Sequence, residues 1–325
     1  MTSESTKFLL AYRYLKGIGK RYLNELAIAV ENTGSPVDVC FNSNKSDAYS
    51  QSDIDAALLK AEEQVVIAKN LGHSIISRLD SSYPEALKAV KDAPPILFCS
   101  GNLNLLKAPD IVTIIGTRAP TKHGVSIAER VTEWFSNNGW VIASGLAKGV
   151  DTIAHQSCLN AGGRTISILA HGLEKIYPAQ NKTLAKDIIN QDGLLISEYG
   201  YNSYVGKSNF VERDRIQAAL AKAVILVQSD LDGGSLHASR AIIEYGRYLV
   251  VLGQSPRDKF NQEPKITANI TLIEGSEQQK SLLLKTHAGN LNRVIYLPDK
   301  SYLAEVNKII RKVYFDTKGG NINLF

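Results

Sequence analysis

Three loops in the middle of the chain combine glycine with basic or hydroxyl residues, and each directly follows an apolar run. Glycine lets backbone amides approach an anion closely, and a helix that begins after such a loop adds a favourable partial charge. Arginine can hold a phosphate through two parallel hydrogen bonds, whereas lysine offers a point charge. The loops therefore predict a phosphate-binding surface. Its predicted members are Gly116, Thr117 and Arg118, then Ser144, Gly145, Lys148 and Gly149, then Gly233, Gly234 and Ser235.

A fourth segment, residues 209–215, places an aromatic ring between an amide and two arginines. A ring that stacks on an unpaired base contributes about 1–3 kcal/mol in single-strand binders, and arginines neutralise phosphates. We therefore predict that Asn209, Phe210, Arg213 and Arg215 contact a nucleic-acid strand, just before a helix that runs to about residue 221. A core phenylalanine beside a salt-bridged helix start is the alternative.

Lys175 lies in a further loop, close to a Tyr-Pro pair at residues 177 and 178. We predict that it follows a nucleic-acid backbone. A lysine that is only solvated is the alternative interpretation.

Alternating apolar and amphipathic runs must position these loops. Six runs rich in Val, Ile and Leu read as buried strands, and the segments between them have helical periodicity. This alternation predicts βαβ crossovers and a doubly wound, extended Rossmann-like parallel sheet. In such a sheet the ligand crevice lies beyond the carboxyl ends of the strands, where the loops also lie. The six runs are residues 111–115, 140–143, 164–169, 193–196, 224–227 and 249–252.

The loops lack the patterns of several enzyme classes. Residues 144–151 contain neither the G-x-G-x-x-G dinucleotide fingerprint nor the G-x-x-x-x-G-K-[ST] motif. No carboxylates cluster at the predicted strand ends for two metal ions. We therefore predict no catalytic residue, no metal site and no cofactor, and a protein that is not an enzyme.

Composition limits the kinds of partner and the cellular location that we expect. The chain has 325 residues with 37 basic and 32 acidic side chains, so its formal net charge of +5 permits a polyanionic partner without requiring one. Three cysteines without a C-x-x-C pair predict reduced core thiols. No apolar run approaches the roughly 20 residues that span a bilayer. We expect a cytoplasmic protein without a membrane partner.

The sequence predicts three regions: an N-terminal helical domain at residues 1–70, a sheet domain at 71–255 and a C-terminal extension of uncertain fold at 256–325. Within the first region, Gly17 and Gly19 separate two helical runs. This arrangement is the helix-hairpin-helix pattern, in which Lys20 and Arg21 can hold a phosphate. We favour the other interpretation, a simple glycine-capped turn between two helices.

The ordered set of motifs resembles the DNA-processing protein A (DprA, or Smf) family. Besides the loops above, the likeness includes His155, Gly172-Leu173, Ser197-Glu198-Tyr199 and Gly233-Gly234-Ser235-Leu236, and it covers nearly all of residues 111–254. The resemblance implies an extended Rossmann-like fold behind a sterile-alpha-motif-like helical domain. It also implies a non-catalytic protein that binds and protects single-stranded DNA, loads the RecA recombinase during natural transformation, and forms a homodimer.

Three residues depart from the pattern of that family. Val211 stands where proline is usual, Glu212 where a basic or neutral residue is common, and Asp214 where asparagine is common. Two acidic residues weaken a phosphate-binding surface. An alternative function therefore stays open, in which the same crevice binds a small nucleotide-derived ligand as a sensor or processor.

Overall fold

A computed structural model describes residues 2–37 and 49–315, and in this part of the chain nine strands form a single sheet. The strand order is β1-β2-β6-β5-β4-β3-β7-β8-β9. The strands are β1 (Ser74–Ser77), β2 (Ile96–Gly101), β3 (Ile111–Ile115), β4 (Val141–Ser144), β5 (Thr165–Leu169), β6 (Leu194–Ser197), β7 (Ala223–Leu226), β8 (Tyr248–Leu252) and β9 (Val294–Leu297).

Helices cover both faces of the sheet and precede it in the chain. In the described ranges they are α1 (Glu4–Tyr12), α2 (Lys20–Thr33), α3 (Gln51–Asn70), α4 (Glu85–Lys88), α5 (Lys122–Asn137), α6 (Val150–Asn160), α7 (Lys182–Asn190), α8 (Lys207–Leu220), α9 (Ser235–Glu244), α10 (Pro256–Phe260), α11 (Thr267–Glu274), α12 (Glu277–Leu284) and α13 (Leu303–Arg311).

The order of the strands reverses at β3. From β3 the chain builds β4, β5 and β6 on one side, then returns to build β7, β8 and β9 on the other side, and all these neighbours are parallel. Strands β1 and β2 extend the sheet beyond β6 with antiparallel pairing. The predicted doubly wound fold class is confirmed. The reversal leaves a crevice beyond the carboxyl ends of β3 and β7, because the helices that follow these strands lie on opposite faces.

The N-terminal helices pack directly on the β1–β2 side of the sheet. Leu9, Leu10 and Leu23 are buried in one apolar cluster with Ile75 and Phe98 of the sheet. Each Å² of apolar surface that is buried stabilises the fold by about 25 cal/mol, so this shared core is the main stabilising contribution. The N-terminal helices are present as predicted, and a domain boundary near residue 70 stays a prediction.

The sheet continues beyond residue 255. Strand β9 pairs in parallel with β8 over its whole length, with Leu249 opposite Val294 and Leu252 opposite Leu297. The following helix α13 buries Leu303, Val306 and Ile310 against the same core. The segment predicted as an extension of uncertain fold therefore supplies an edge strand and a covering helix, because its apolar residues complete the core beside β8.

Some features lie partly outside the described residues. Cys40 and residues 316–325 are not described, whereas Cys99 and Cys158 are buried and free. No helix in the described ranges is long and apolar enough to cross a membrane.

Candidate functional site

A cleft of about 710 Å³ opens at the point where the strand order reverses. One wall is the loop after β3, the second is the loop after β7 with the start of α9, and the third is the first half of α8. The sequence predicted that these three segments lie together. Eight of the predicted site residues line the cleft: Gly116, Thr117, Arg118, Phe210, Arg213, Gly233, Gly234 and Ser235.

Arg118 and Lys207 are exposed cations of the cleft. Arg118 lies beside an aromatic ring. Its guanidinium carbon lies 6.0 Å from the centre of the Phe210 ring, and the Tyr177 ring meets Phe210 edge-on at 5.7 Å. No carboxylate in the described ranges lies within 4 Å of Arg118, so its donors are open to an anion. An aromatic face beside an unpaired guanidinium can receive a base and its phosphate together.

The loop after β7 presents backbone amides to the cleft. Gly234 is the N-cap of α9, and no side chain caps this helix. The Leu236 and His237 amides donate to the Gly233 and Gly234 carbonyls, both at 3.0 Å. A Cβ at Gly234 would have no atom within 4 Å, whereas one at Gly233 would lie 2.2 Å from Ser229 Oγ. The Ser235 hydroxyl donates to Ser229 Oγ at 2.8 Å. This helix N-terminus therefore offers an anion open space and the positive end of the helix dipole.

Two other glycines are required by the protein's own packing. Gly149 has a φ of +75°, and a Cβ there would lie 2.4 Å from the Thr117 carbonyl oxygen. A Cβ at Gly116 would lie 2.7 Å from Val150 Cγ2. The loops after β3 and β4 thus contact each other at these positions, which explains the glycines without a ligand.

The loop after β4 does not open into the cleft as the sequence predicted. Ser144 is buried and donates its hydroxyl to the Ile114 carbonyl at 2.7 Å. Asp151 accepts from the Ala147 amide, so a carboxylate already occupies the start of α6. Lys148 is exposed outside the cleft lining. The predicted members Ser144, Gly145 and Gly149 therefore pack behind the cleft, and Lys148 lies outside it, because the reversal point lies between β3 and β7.

Helix α8 begins at Lys207, earlier than the sequence predicted, and this separates the two arginines. Arg213 is 4% exposed; its Nη1 donates to the Gly145 and Ile168 carbonyls, and its Nε pairs with Asp214 at 3.1 Å. Arg215 points away and pairs with Glu198 at 2.7 Å. Positions two apart on a helix face roughly opposite directions. The alternative of a salt-bridged segment therefore describes both arginines better than direct phosphate contact.

Asn209 has a local role in the structure. Its side-chain amide donates to the Ala170 and Tyr204 carbonyls, both at 3.3 Å, and it does not line the cleft. These bonds hold the turn before α8, and so they fix where Phe210 lies.

The acidic residue Glu212 is compensated by the N-terminal region. Lys20 pairs with Glu212 and also lies 3.1 Å from Glu198. The hydrogen bond from Lys20 lowers the pKa of Glu212, which does not line the cleft. Lys20 is therefore engaged with carboxylates, which favours the interpretation of residues 16–21 as a turn between helices.

Four carboxylates of the described chain line the cleft, Asp151, Asp214, Asp230 and Asp232, and the pKa values of the first two are raised. Burial raises the pKa of Asp214 to about 6, in spite of Arg213 beside it, and the charge of Asp151 acts in the same direction. Burial likewise raises the pKa of Asp151. Since Arg118 also acts on Asp214, the charge of this carboxylate is linked electrostatically to the cation that faces the ligand.

This linkage predicts that binding of a polyanion strengthens as the pH falls from 8 to 5.5. Protonation of Asp214 removes a negative charge below the ligand, and a bound phosphate favours that protonation. The variant D214N should bind more tightly than the parent at pH 8 and show a flatter pH profile. Oligonucleotide affinity across this pH range checks it, and parallel profiles for the two proteins would contradict it.

The same shift has a consequence for stability. The folded pKa of Asp214, about 6, lies above its ordinary value of 3.8. Its contribution to stability is therefore complete below about pH 4 and is lost as the pH rises through 6.

Thirteen lining residues were not predicted as site members, and three of them lie beside the predicted ligand contacts. Lys207 lies one turn before Phe210 on α8, Tyr177 packs on the Phe210 ring, and His237 follows Ser235 on α9. Helical spacing could have indicated Lys207 had the start of α8 been placed correctly. Lys175, which was predicted, lines a neighbouring hollow on the other side of Tyr177.

The fold and this cleft define an extended Rossmann-like α/β protein whose ligand site lies at the reversal of the strand order. Residues 74–297, well over half of the chain, match the model of the family DNA recombination-mediator protein A, and the chain belongs to this family. The resemblance stated from the motifs is thereby confirmed.

Known members share much of this chain. The DNA processing protein DprA of Streptococcus pneumoniae is 43% identical over 171 residues, which are 53% of this chain and 60% of that relative. The match thus spans less than two thirds of the relative's length. The structure of DprA from the same species covers 94% of this chain and 99% of its own, with a TM-score of 0.68 and 27% identity.

A second solved structure is similar over a shorter range. DNA processing protein A of Helicobacter pylori, whose structure concerns a single-stranded DNA binding mode, is 31% identical. It covers 66% of this chain and 97% of its own, with a TM-score of 0.52.

Proposed function

We propose that this protein binds single-stranded DNA without altering it chemically. In this proposal, phosphates bind to Arg118 and at the N-terminus of α9, and a base stacks on Phe210. The observation that carries the proposal is the exposed guanidinium of Arg118 beside the Phe210 ring, with no carboxylate of the described chain against it. Stacking suits every base, so this arrangement favours sequence-tolerant binding of unpaired strands.

The cellular role follows from membership of the family. We propose that the protein protects incoming single strands and loads the RecA recombinase on them in natural transformation, as a homodimer. The DNA-binding description of the Helicobacter pylori relative supports the first step. Loading a recombinase requires that the strand stay accessible along its length, and an open cleft meets this requirement better than a closed channel.

The alternative of a small nucleotide-derived ligand loses its main support. It depended on two acidic residues in the predicted phosphate-binding segment. Glu212 is paired with Lys20 outside the cleft, and Asp214 is buried beside Arg213. Glu212 therefore places no charge in the cleft, and the charge of Asp214, which does line the cleft, is partly compensated by Arg213.

Fluorescence anisotropy with a labelled poly-dT oligonucleotide tests the proposal, with a duplex of the same length for comparison. The protein should bind the single strand more tightly at every salt concentration. Equal affinity for the duplex, or no binding of the single strand at low salt, would overturn it. In the second case, competition by mononucleotides becomes the informative measurement.

Phe210→Ala should weaken binding of poly-dT about five- to 150-fold, because about 1–3 kcal/mol of stacking is lost. The slope of affinity against salt should stay constant, since no phosphate contact is removed. Phe210→Trp is the matched control and should retain affinity. A changed slope in Phe210→Ala would assign the ring an indirect role in positioning Arg118.

A further inference from the structure

A second hollow, of about 930 Å³, lies beside the cleft. The two spaces share three lining residues, Tyr177, Lys207 and Phe210. The rings of Tyr177 and Phe210 are 5.7 Å apart and form an aromatic ridge between them. A strand that leaves the cleft over this ridge therefore enters the hollow without leaving the protein surface.

The interior of the hollow is mainly hydrocarbon. It is lined by Ile176, Ile189, Leu195 and Val205, together with Phe210 on the shared side. The imidazole of His171 also lines it, but both ring nitrogens already contact the main chain. The interior thus suits a flat, largely apolar group, and it offers few donors or acceptors that would select one base over another.

The rim of the hollow is basic. Within residues 2–37 and 49–315, none of its four exposed lysines has a carboxylate within 4 Å. The acidic lining residue, Glu174, accepts from the Asn202 amide. The hollow therefore combines an apolar interior with unpaired positive charge around it. The four lysines are Lys175, Lys182, Lys186 and Lys207.

We propose that this hollow is a second nucleotide subsite, which receives an unstacked base from the same single strand that the cleft binds. The rim lysines neutralise the phosphates on either side of that base. A single strand has this division between apolar base faces and a charged backbone, whereas a duplex hides its bases. The inference rests on the proposed function, and it extends the contact surface from the cleft to the start of α7.

Lysine substitutions test the charge of the rim. The double variant K182Q/K186Q should lower the salt slope of poly-dT binding by about 1.4, since each phosphate contact on a single strand contributes about 0.7. The matched control K107Q/K308Q removes two exposed lysines that do not line the hollow, and it should keep the slope of the parent. Equal slopes for the two double variants would overturn the role of the rim.

A filling substitution tests the apolar interior. Val205 is 39% exposed, so Val205→Trp should fold and should fill part of the hollow. It should weaken binding about tenfold without a change in salt slope. Leu282→Trp, at a 79% exposed position on α12, is the control. A 2-aminopurine base moved stepwise along the oligonucleotide should show one position whose fluorescence change is present in the parent and absent in Val205→Trp.

The outcomes separate the two proposals. If Arg118→Ala weakens binding but the hollow variants match their controls, the second subsite is wrong and the cleft proposal stands. If the parent does not bind poly-dT, both are wrong. Thermal unfolding of every variant distinguishes lost binding from lost folding.

Discussion

Arg118→Ala is expected to weaken binding of poly-dT by about ten- to 150-fold. Hydrogen bonds to a charged group contribute about 1.5–3 kcal/mol, and this arginine has no carboxylate of the described chain to compete for them. The salt slope should fall by about 0.7, which corresponds to one phosphate. Anisotropy across a salt series measures both quantities.

The matched control is Arg130→Ala, which removes another exposed arginine, on α5 outside the cleft. It should leave the affinity nearly constant. Arg118 is exposed, so neither substitution should change the unfolding temperature appreciably. If both variants weaken binding equally, the loss results from the lower net charge of the protein, and the cleft is not the binding site.

Arg213→Met is expected to lower the stability of the folded protein. The side chain is buried, bridges the Gly145 and Ile168 carbonyls, and pairs with Asp214. Removing one partner of a buried ion pair costs about 3–5 kcal/mol, because the other charge is left uncompensated. Differential scanning calorimetry should show an unfolding temperature lower by roughly 10 °C.

The pH dependence of this loss identifies its cause. Below pH 6 Asp214 is largely protonated and needs no cation, so the deficit of Arg213→Met should be smaller at pH 5.5 than at pH 8. Lys148→Met, at an exposed position outside the cleft, is the control and should unfold like the parent. An unchanged unfolding temperature with lost DNA binding would restore Arg213 as a direct phosphate ligand.

The local pattern of apolar and amphipathic segments was enough to predict the fold class of this protein. Short apolar runs with helical segments between them can bury their side chains only as parallel strands covered by helices, and so the sequence alone predicted the fold class. The predicted strand at residues 111–115 coincides with β3. Placing ligand loops at strand ends likewise needed only the chain order and the direction of the strands.

The site itself depended on information that no local pattern carries. The strand order decides that the loops after β3 and β7 face each other, while the loop after β4 supports them from behind. The phase of α8 decides that Phe210 faces the cleft and Arg215 faces Glu198. Arg213 is buried and its donors are taken by the Gly145 and Ile168 carbonyls and by Asp214, so it stabilises the fold. The sequence could therefore identify the kinds of residue that bind a phosphate, but only tertiary packing determined which charges were already paired and which remained open to a ligand.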